Sequence, residues 1–390
     1  MNLQFARRMD QFGAGIFNQL DDKRRAVEAQ GRPVYNLSIG TPDFLPPAHV
    51  MEALAQAAAK PENYRYALRE RPALLEAVQN WYRRRYQVEL AEDEILAVYG
   101  SQEGLTHIGW AVCDPGDVVL VPDPGYPIFG MGPFLCGARV ETYPLHAENG
   151  YLPDLDAIDP ALARAAKMMV VSYPLNPVAV CAPRQFYEDL IEFARRYDIL
   201  IVHDNAYSEI VFDGREGGSF LSIPGAKEVG VEYNSLSKTY NLTGARISFV
   251  VGNAQVVERF RTLRSQIDYG IFLPVQIAAE AALNGPQDSV EAQRQQYQAR
   301  RDALCGGLRS IGWDVPDSQG SMFAWAPLPQ GYTDSGAFCL ELVEKTGLLC
   351  TPGVAFGPLG EGHVRFALVQ PPEQIRTIVE AVRDGGILRN

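Results

Sequence analysis

The stretch "SLSKTYNLTGAR", residues 235–246, gathers two hydroxyls (Ser235 and Ser237), an amine (Lys238) and a guanidinium (Arg246) in one short segment. A lysine amine can condense with a carbonyl, while hydroxyls and an arginine fork suit a phosphate. Other chemistry-bearing residues share one feature: each stands just after a short apolar run. After "EILAVY" comes Gly100-Ser101-Gln102-Glu103 at the start of a helical pattern, whose free N–H groups make an anion site. Tyr126 follows "VVLVP", Asn176 follows "MMVVSYP", and Asp204 and Tyr207 follow "ILIVH".

Those runs define the elements that must position these side chains. Seven of them lie between residues 94 and 251: "EILAVYG", "DVVLVP", "ARVETYPL", "KMMVVSYP", "DILIVHD", "EVGVEYNS" and "ARISFVVG". Helix-like segments such as "SQEGLTHIGWAV" and "APRQFYEDLIEFARRYD" separate some of them. Apolar runs without polar alternation, interleaved with helices, predict a mostly parallel sheet covered on both faces. In such sheets ligands sit beyond the carboxyl ends of the strands, so the residues above converge on one edge. The C-terminal part reads differently. A long helix in "PQDSVEAQRQQYQARRDALCGGLRSIG", strands in "SMFAWAPL", "GLLCT" and "HVRFAL", and a helix near "PPEQIRTIVEAVRD" predict a small α+β domain. The expected organisation is an arm and part of the small domain at 1–47, a large cofactor-binding domain at 48–284, and the rest of the small domain at 285–390.

Composition narrows the class. The 390 residues are 47% hydrophobic and 21% charged, as in an ordinary globular protein. No apolar run approaches the roughly 20 residues that span a bilayer, and "MNLQFARRMDQFGAGIF" lacks a signal-peptide core. A cytoplasmic protein with no membrane partner is expected. The six cysteines, at 113, 136, 181, 305, 339 and 350, form no close pair; this argues against a disulfide framework or a zinc site. A net charge of −12 disfavours nucleic acid as a partner. No G-x-G-x-x-G follows a strand, which removes a nicotinamide dehydrogenase. No helix-turn-helix is evident at either end, which speaks against a DNA-binding regulator.

Pyridoxal 5′-phosphate needs the set that remains. Its aldehyde takes a lysine as a Schiff base, and its ring nitrogen needs a carboxylate to stay protonated. Its phenolic oxygen suits Asn and Tyr donors, and its phosphate suits hydroxyls, helix amides and an arginine. On this reading Lys238 holds the aldehyde, while Ser235, Ser237 and Arg246 grip the phosphate. Gly244 is expected to let the chain bend back toward the cofactor.

The motifs "YPLNP", "VHDNAYSEIVFDG" and "NSLSKTYNLTGARISFVVGN" resemble class I/II aminotransferases of fold type I. The likeness runs from "NLSIGTPDF" to "GEGHVRFAL" and is best to LL-diaminopimelate and alanine aminotransferases, through "VPDPGYPIF" and "DYGIF". It implies that Lys238 is the Schiff-base lysine and proton shuttle, and that Asp204 partners the pyridinium. It implies that Asn176 and Tyr207 bind the phenolic oxygen, that Tyr126 stacks on the ring, and that Ser101, Gln102, Ser235, Ser237 and Arg246 bind the phosphate. Arg365 in "HVRFAL" resembles the arginine that takes the substrate α-carboxylate, with Gly40, Asn176 and Tyr126 in the same pocket. Tyr66 resembles a tyrosine that reaches the phosphate of a neighbouring subunit, so a homodimer with shared sites is implied.

The implied activity is transfer of an amino group from an L-amino acid to a 2-oxo acid in a ping-pong cycle. LL-diaminopimelate, alanine and glutamate are the candidate donors. A C–S β-lyase, which would use the same Lys238–Asp204 pair, is the alternative. The chain departs from the family pattern at several points. Asn176-Pro177-Val178-Ala179 stands for Asn-Pro-Thr-Gly, and Ala245 and Ser248 stand where Trp and Gly are common. The loop "YALRERPALL" lacks the usual glycine, and no N-terminal tyrosine of the diaminopimelate type is evident. In that loop Arg65, Arg69, Glu70 and Arg71 are candidates for a distal carboxylate or amine of the substrate, set against ordinary solvated charge.

Overall fold

The computed structural model describes residues 3–13 and 15–388. The chain forms two compact units. One comprises the described residues up to Gly40 together with 300–317 and those from Ala324 onward; the other comprises 41–299 and 318–323.

Strands are numbered in chain order. In the smaller unit β1 (Tyr35–Asn36) pairs in parallel with β10 (Leu348–Leu349). A three-stranded sheet there has the order β11 (Thr351–Pro352), β12 (His363–Ala367) and β9 (Phe323–Pro327), the first residue of β9 being counted in the larger unit. Two amphipathic helices pack their apolar stripes in this unit. Ser335–Thr346 buries Phe338, Cys339, Leu342 and Val343, and Pro372–Asp384 buries Ile375, Ile378, Val379 and Val382. Residues spaced by three and four lie on one helix face, which is why both segments bury a single stripe.

The larger unit is built on seven strands: β2 (Ile95–Val98), β3 (Val118–Asp123), β4 (Arg139–Pro144), β5 (Ala166–Ser172), β6 (Leu200–Asp204), β7 (Gly230–Ser235) and β8 (Ser248–Gly252). Each arises from one of the seven apolar runs. Their order is β2-β8-β7-β6-β5-β3-β4. Only β8 runs antiparallel to its neighbours β2 and β7; the pairs from β7 through β6, β5 and β3 to β4 are parallel. The fold is therefore the expected α/β architecture with a mostly parallel seven-stranded sheet.

Burial explains the composition of the strands. Every residue of β2, β3, β7 and β8 is buried, which selects apolar side chains on both faces. At the edge, β4 exposes Arg139 and Thr142 and buries Tyr143, a polar rim that discourages further strand pairing. The helix Arg184–Tyr197 covers the sheet with Phe186, Leu190, Ile191 and Phe193. Among the described residues no helix is long and apolar enough to cross a membrane, and no cluster of His, Cys, Asp and Glu is suited to a metal ion.

Candidate active site

The reversed direction of β8 builds half of the site. Its first residue, Ser248, lies opposite the last residue of β2, Val98, and the last residue of β7, Ser235. The N-terminal end of β8 thus meets two strand carboxyl ends. Three hydroxyls line up there: Ser101 Oγ donates to Ser248 Oγ at 3.4 Å, and Ser248 Oγ donates to Ser235 Oγ at 2.9 Å. Ser235 also caps the helical turn Leu236–Thr239 by accepting the Ser237 N–H at 3.2 Å, so Ser237 and Lys238 sit on that turn.

Arg246 closes the same corner. Its Nη1 donates to the Thr243 carbonyl at 2.8 Å and its Nη2 to the Tyr99 carbonyl at 3.1 Å. Tyr99 and Gly100 lead into the helix Ser101–Val112. Gly100 has φ 92°, and a Cβ there would overlap the Arg246 guanidinium. A helix N-terminus, three serines and a guanidinium are therefore assembled from segments far apart in sequence, a strong anion site on physical grounds. Gln102 is in the same first turn and accepts the Tyr126 hydroxyl at 3.0 Å, which ties the loop after β3 to this corner.

Asp204 ends β6 and is buried, with no hydrogen-bond partner on its Oδ1. Burial pushes its carboxyl up to about 6, against the opposing influence of His203, the Ala206 N–H and Lys238. Asn176 and Tyr207, on the loops after β5 and β6, are both buried; the Tyr207 ring packs edge-on against Phe323 with centroids 5.8 Å apart.

The segment carrying Asp204 and Tyr207 is held from behind. Fully buried Glu232 accepts from the Tyr82 hydroxyl (3.0 Å), the Ser219 hydroxyl (2.8 Å) and the Phe220 N–H (2.8 Å), and lies 3.0 Å from His203 Nδ1. Glu209 accepts from Tyr86 at 2.8 Å and from Arg85 at 2.8 Å. A buried carboxylate with this many donors is saturated, so the network rigidifies 203–209 without competing for a ligand.

Residues 32–382 match the family described as aminotransferase class I and II. The chain belongs to the class I and II aminotransferases. LL-diaminopimelate aminotransferases from Moorella thermoacetica and Desulforudis audaxviator are 43% and 42% identical to it, each comparison covering 98% of this chain and 98% of the relative. Among solved structures, substrate-bound BacF from Bacillus subtilis superposes with a TM-score of 0.94 at 33% identity, covering 100% of this chain and 99% of that one.

The aminotransferase works with pyridoxal 5′-phosphate, and its own residues fit that group. Asp204 Oδ1, buried and without a hydrogen-bond partner, suits a protonated ring nitrogen. The cradle at Gly100, too tight for a Cβ, lets a phosphate approach backbone, hydroxyls and Arg246 together. In the smaller unit Arg365 is buried on β12, where its Nη2 donates to the Ser38 carbonyl at 2.8 Å and lies 3.4 Å from the Thr351 hydroxyl. Its guanidinium lies 4.6 Å from the Phe356 ring centroid. Ser38 is two residues from Gly40, so the structure brings that expected pair of segments together.

Some sequence expectations are corrected. The left-handed residues after Lys238 are Asn241 (φ 59°) and Arg246 (φ 54°), whereas Gly244 is not among the positive-φ glycines; two carbonyl bonds from its guanidinium hold Arg246 in place. Glu70 is not turned to a substrate: it accepts the Ala97 N–H at 3.0 Å and pairs with Arg261 at 2.7 Å. Arg71 pairs with Glu280 at 2.6 Å. Both serve the scaffold, leaving exposed Arg65 and Arg69 as the unassigned cations of that loop. Tyr66, expected to serve a neighbouring subunit, is 76% exposed, and its ring lies tilted at 55° against Tyr269 with centroids 4.8 Å apart. Ser248 was visible in the sequence only as a departure from the usual glycine; its cross-strand register is what reveals its partners.

Proposed function

We propose that this aminotransferase takes LL-diaminopimelate as amino donor and a 2-oxo acid such as 2-oxoglutarate as acceptor. The donor is supported by the names of the relatives at 42–43% identity over nearly the full length. The site assignment rests on one observation above all: a buried Asp204 oxygen with no hydrogen-bond partner at the carboxyl end of β6.

Pyridoxal phosphate, when bound, accepts the amino group and draws electrons away from the carbon that bears it. Asp204 keeps a proton on the ring nitrogen, so the ring stays electron-poor. Lys238 Nζ would take the proton from the substrate Cα as a general base and hold it for return as a general acid. Asn176 and Tyr207 donate to the phenolic oxygen, and Tyr126 stacks on the ring while its hydroxyl is fixed by Gln102. Ser101, Gln102, Ser235, Ser237 and Arg246 anchor the phosphate. Arg365 binds the substrate α-carboxylate bidentately, with Gly40 leaving room for it. The second half-reaction reverses these roles with the 2-oxo acid.

We further propose a cytoplasmic homodimer in which Tyr66 serves the partner's phosphate site. Tyr66, Leu68, Tyr64 and Tyr269 are 76%, 74%, 65% and 57% exposed, a cluster of large apolar surface that marks an interface. Light scattering on the purified protein should give twice the monomer mass.

The decisive experiment is a donor panel with 2-oxoglutarate, following glutamate formation. LL-diaminopimelate should give the highest kcat/KM, and pyruvate and ammonia should not be released from cystathionine. A higher kcat/KM with alanine or another monocarboxylic donor would overturn the substrate assignment, and failure of every donor would overturn the site assignment.

A further inference from the structure

We infer that Ser248 is a positioning residue of the phosphate site, making Ser235 an obligate hydrogen-bond donor to the bound anion. This deepens the cofactor-site assignment above and rests on it.

A serine hydroxyl has one proton to give and two lone pairs to fill. At Ser235 both lone pairs are taken, by the Ser237 N–H at 3.2 Å and by the Ser248 hydroxyl at 2.9 Å. The Ser235 proton is what remains, and a phosphate offers only acceptors. The hydroxyl is thus oriented for an anion before the anion arrives, which removes the ordering cost from binding. Ser248 receives in turn from Ser101 at 3.4 Å, so one buried hydroxyl spans the two segments that hold the phosphate.

Its surroundings argue that this is more than packing. Ser248 is fully buried, and most buried side-chain hydrogen bonds go to backbone or water. Both partners of Ser248 are instead hydroxyls of the anion corner. The register explains why. Ser248 is flanked by Val98 on β2, three residues before Ser101, and by Ser235 on β7. No other position of β8 lies between both phosphate-bearing strand ends. A glycine here would leave Ser235 with an unfilled lone pair, free to turn its proton away from the ligand.

The test compares two ligands that differ only in the phosphate. Full-length wild type, Ser248→Ala, Ser248→Gly and Ser248→Thr are stripped of cofactor and titrated with pyridoxal 5′-phosphate and with pyridoxal, following ring absorbance. Ser248→Ala and Ser248→Gly should bind pyridoxal phosphate about tenfold more weakly, the worth of one oriented hydrogen bond to a charged group. Their affinity for pyridoxal should stay within about twofold of wild type, and Ser248→Thr should keep most of the preference for the phosphate. Equal weakening for both ligands would mean a purely structural role and would overturn the inference, as would unchanged pyridoxal phosphate affinity in both variants. A wild type that binds pyridoxal as tightly as pyridoxal phosphate would instead overturn the phosphate-site assignment itself.

Discussion

Replacing Asp204 by Asn tests whether the carboxylate proposed to face the ring nitrogen burdens the fold. In the cofactor-free protein its carboxyl is buried and titrates near 6 instead of the usual 3.8. At 1.36 kcal/mol per pH unit that displacement costs about 3 kcal/mol above pH 6. The sign follows from proton binding: the folded state holds the proton more tightly than the unfolded one. The penalty is therefore absent below pH 4, grows as pH rises, and is complete above pH 6. Asparagine keeps the shape and removes the charge, while its buried amide, short of a partner, takes back about 1 kcal/mol. Cofactor-free Asp204→Asn should thus be about 2 kcal/mol more stable than wild type at pH 8 and about 1 kcal/mol less stable at pH 3. Urea unfolding at both pH values, with all other titrating groups common to the two proteins, isolates the difference. Activity should move the opposite way, with kcat falling on the order of 10²- to 10³-fold because the ring nitrogen loses its fixed anion. A variant no more stable than wild type at pH 8, or a difference independent of pH, would refute the reasoning.

Three further outcomes are expected. Arg365→Lys should raise KM for amino-acid substrates about 10- to 100-fold with a smaller change in kcat, since an ammonium cannot make two parallel bonds to a carboxylate; initial-rate kinetics would show it. Gly100→Ala should weaken pyridoxal phosphate binding, because its Cβ would displace the Arg246 guanidinium from its positive-φ cradle; a spectroscopic titration reads the loss. Ala179→Gly should stabilise the protein by about 0.5–1 kcal/mol in urea unfolding, because Ala179 sits at φ 63° in the altered turn after Asn176.

The sequence alone determined the chemistry and the sheet. All seven strands of the larger unit arise from runs visible in the chain: burial on both faces leaves the inner strands without polar alternation, while β4 at the edge keeps Arg139 and Thr142 exposed. The placement of Asp204, Lys238 and Arg246 beside strand ends was legible because each stands at or beside the end of a run that forms a strand. Tertiary structure decided which cations and hydroxyls reach that chemistry. Nothing in the sequence separates Arg71 from Arg65 and Arg69, yet Arg71 is paired with Glu280, and the neighbouring Glu70 with Arg261. Asn241 and Arg246, not Gly244, take the left-handed conformations after Lys238, and two backbone carbonyls hold the Arg246 guanidinium. Ser248 gains its partners only because β8 reverses between β2 and β7. Strand adjacency is a long-range property: local residue types dictate that a strand forms, but not which strand lies beside it.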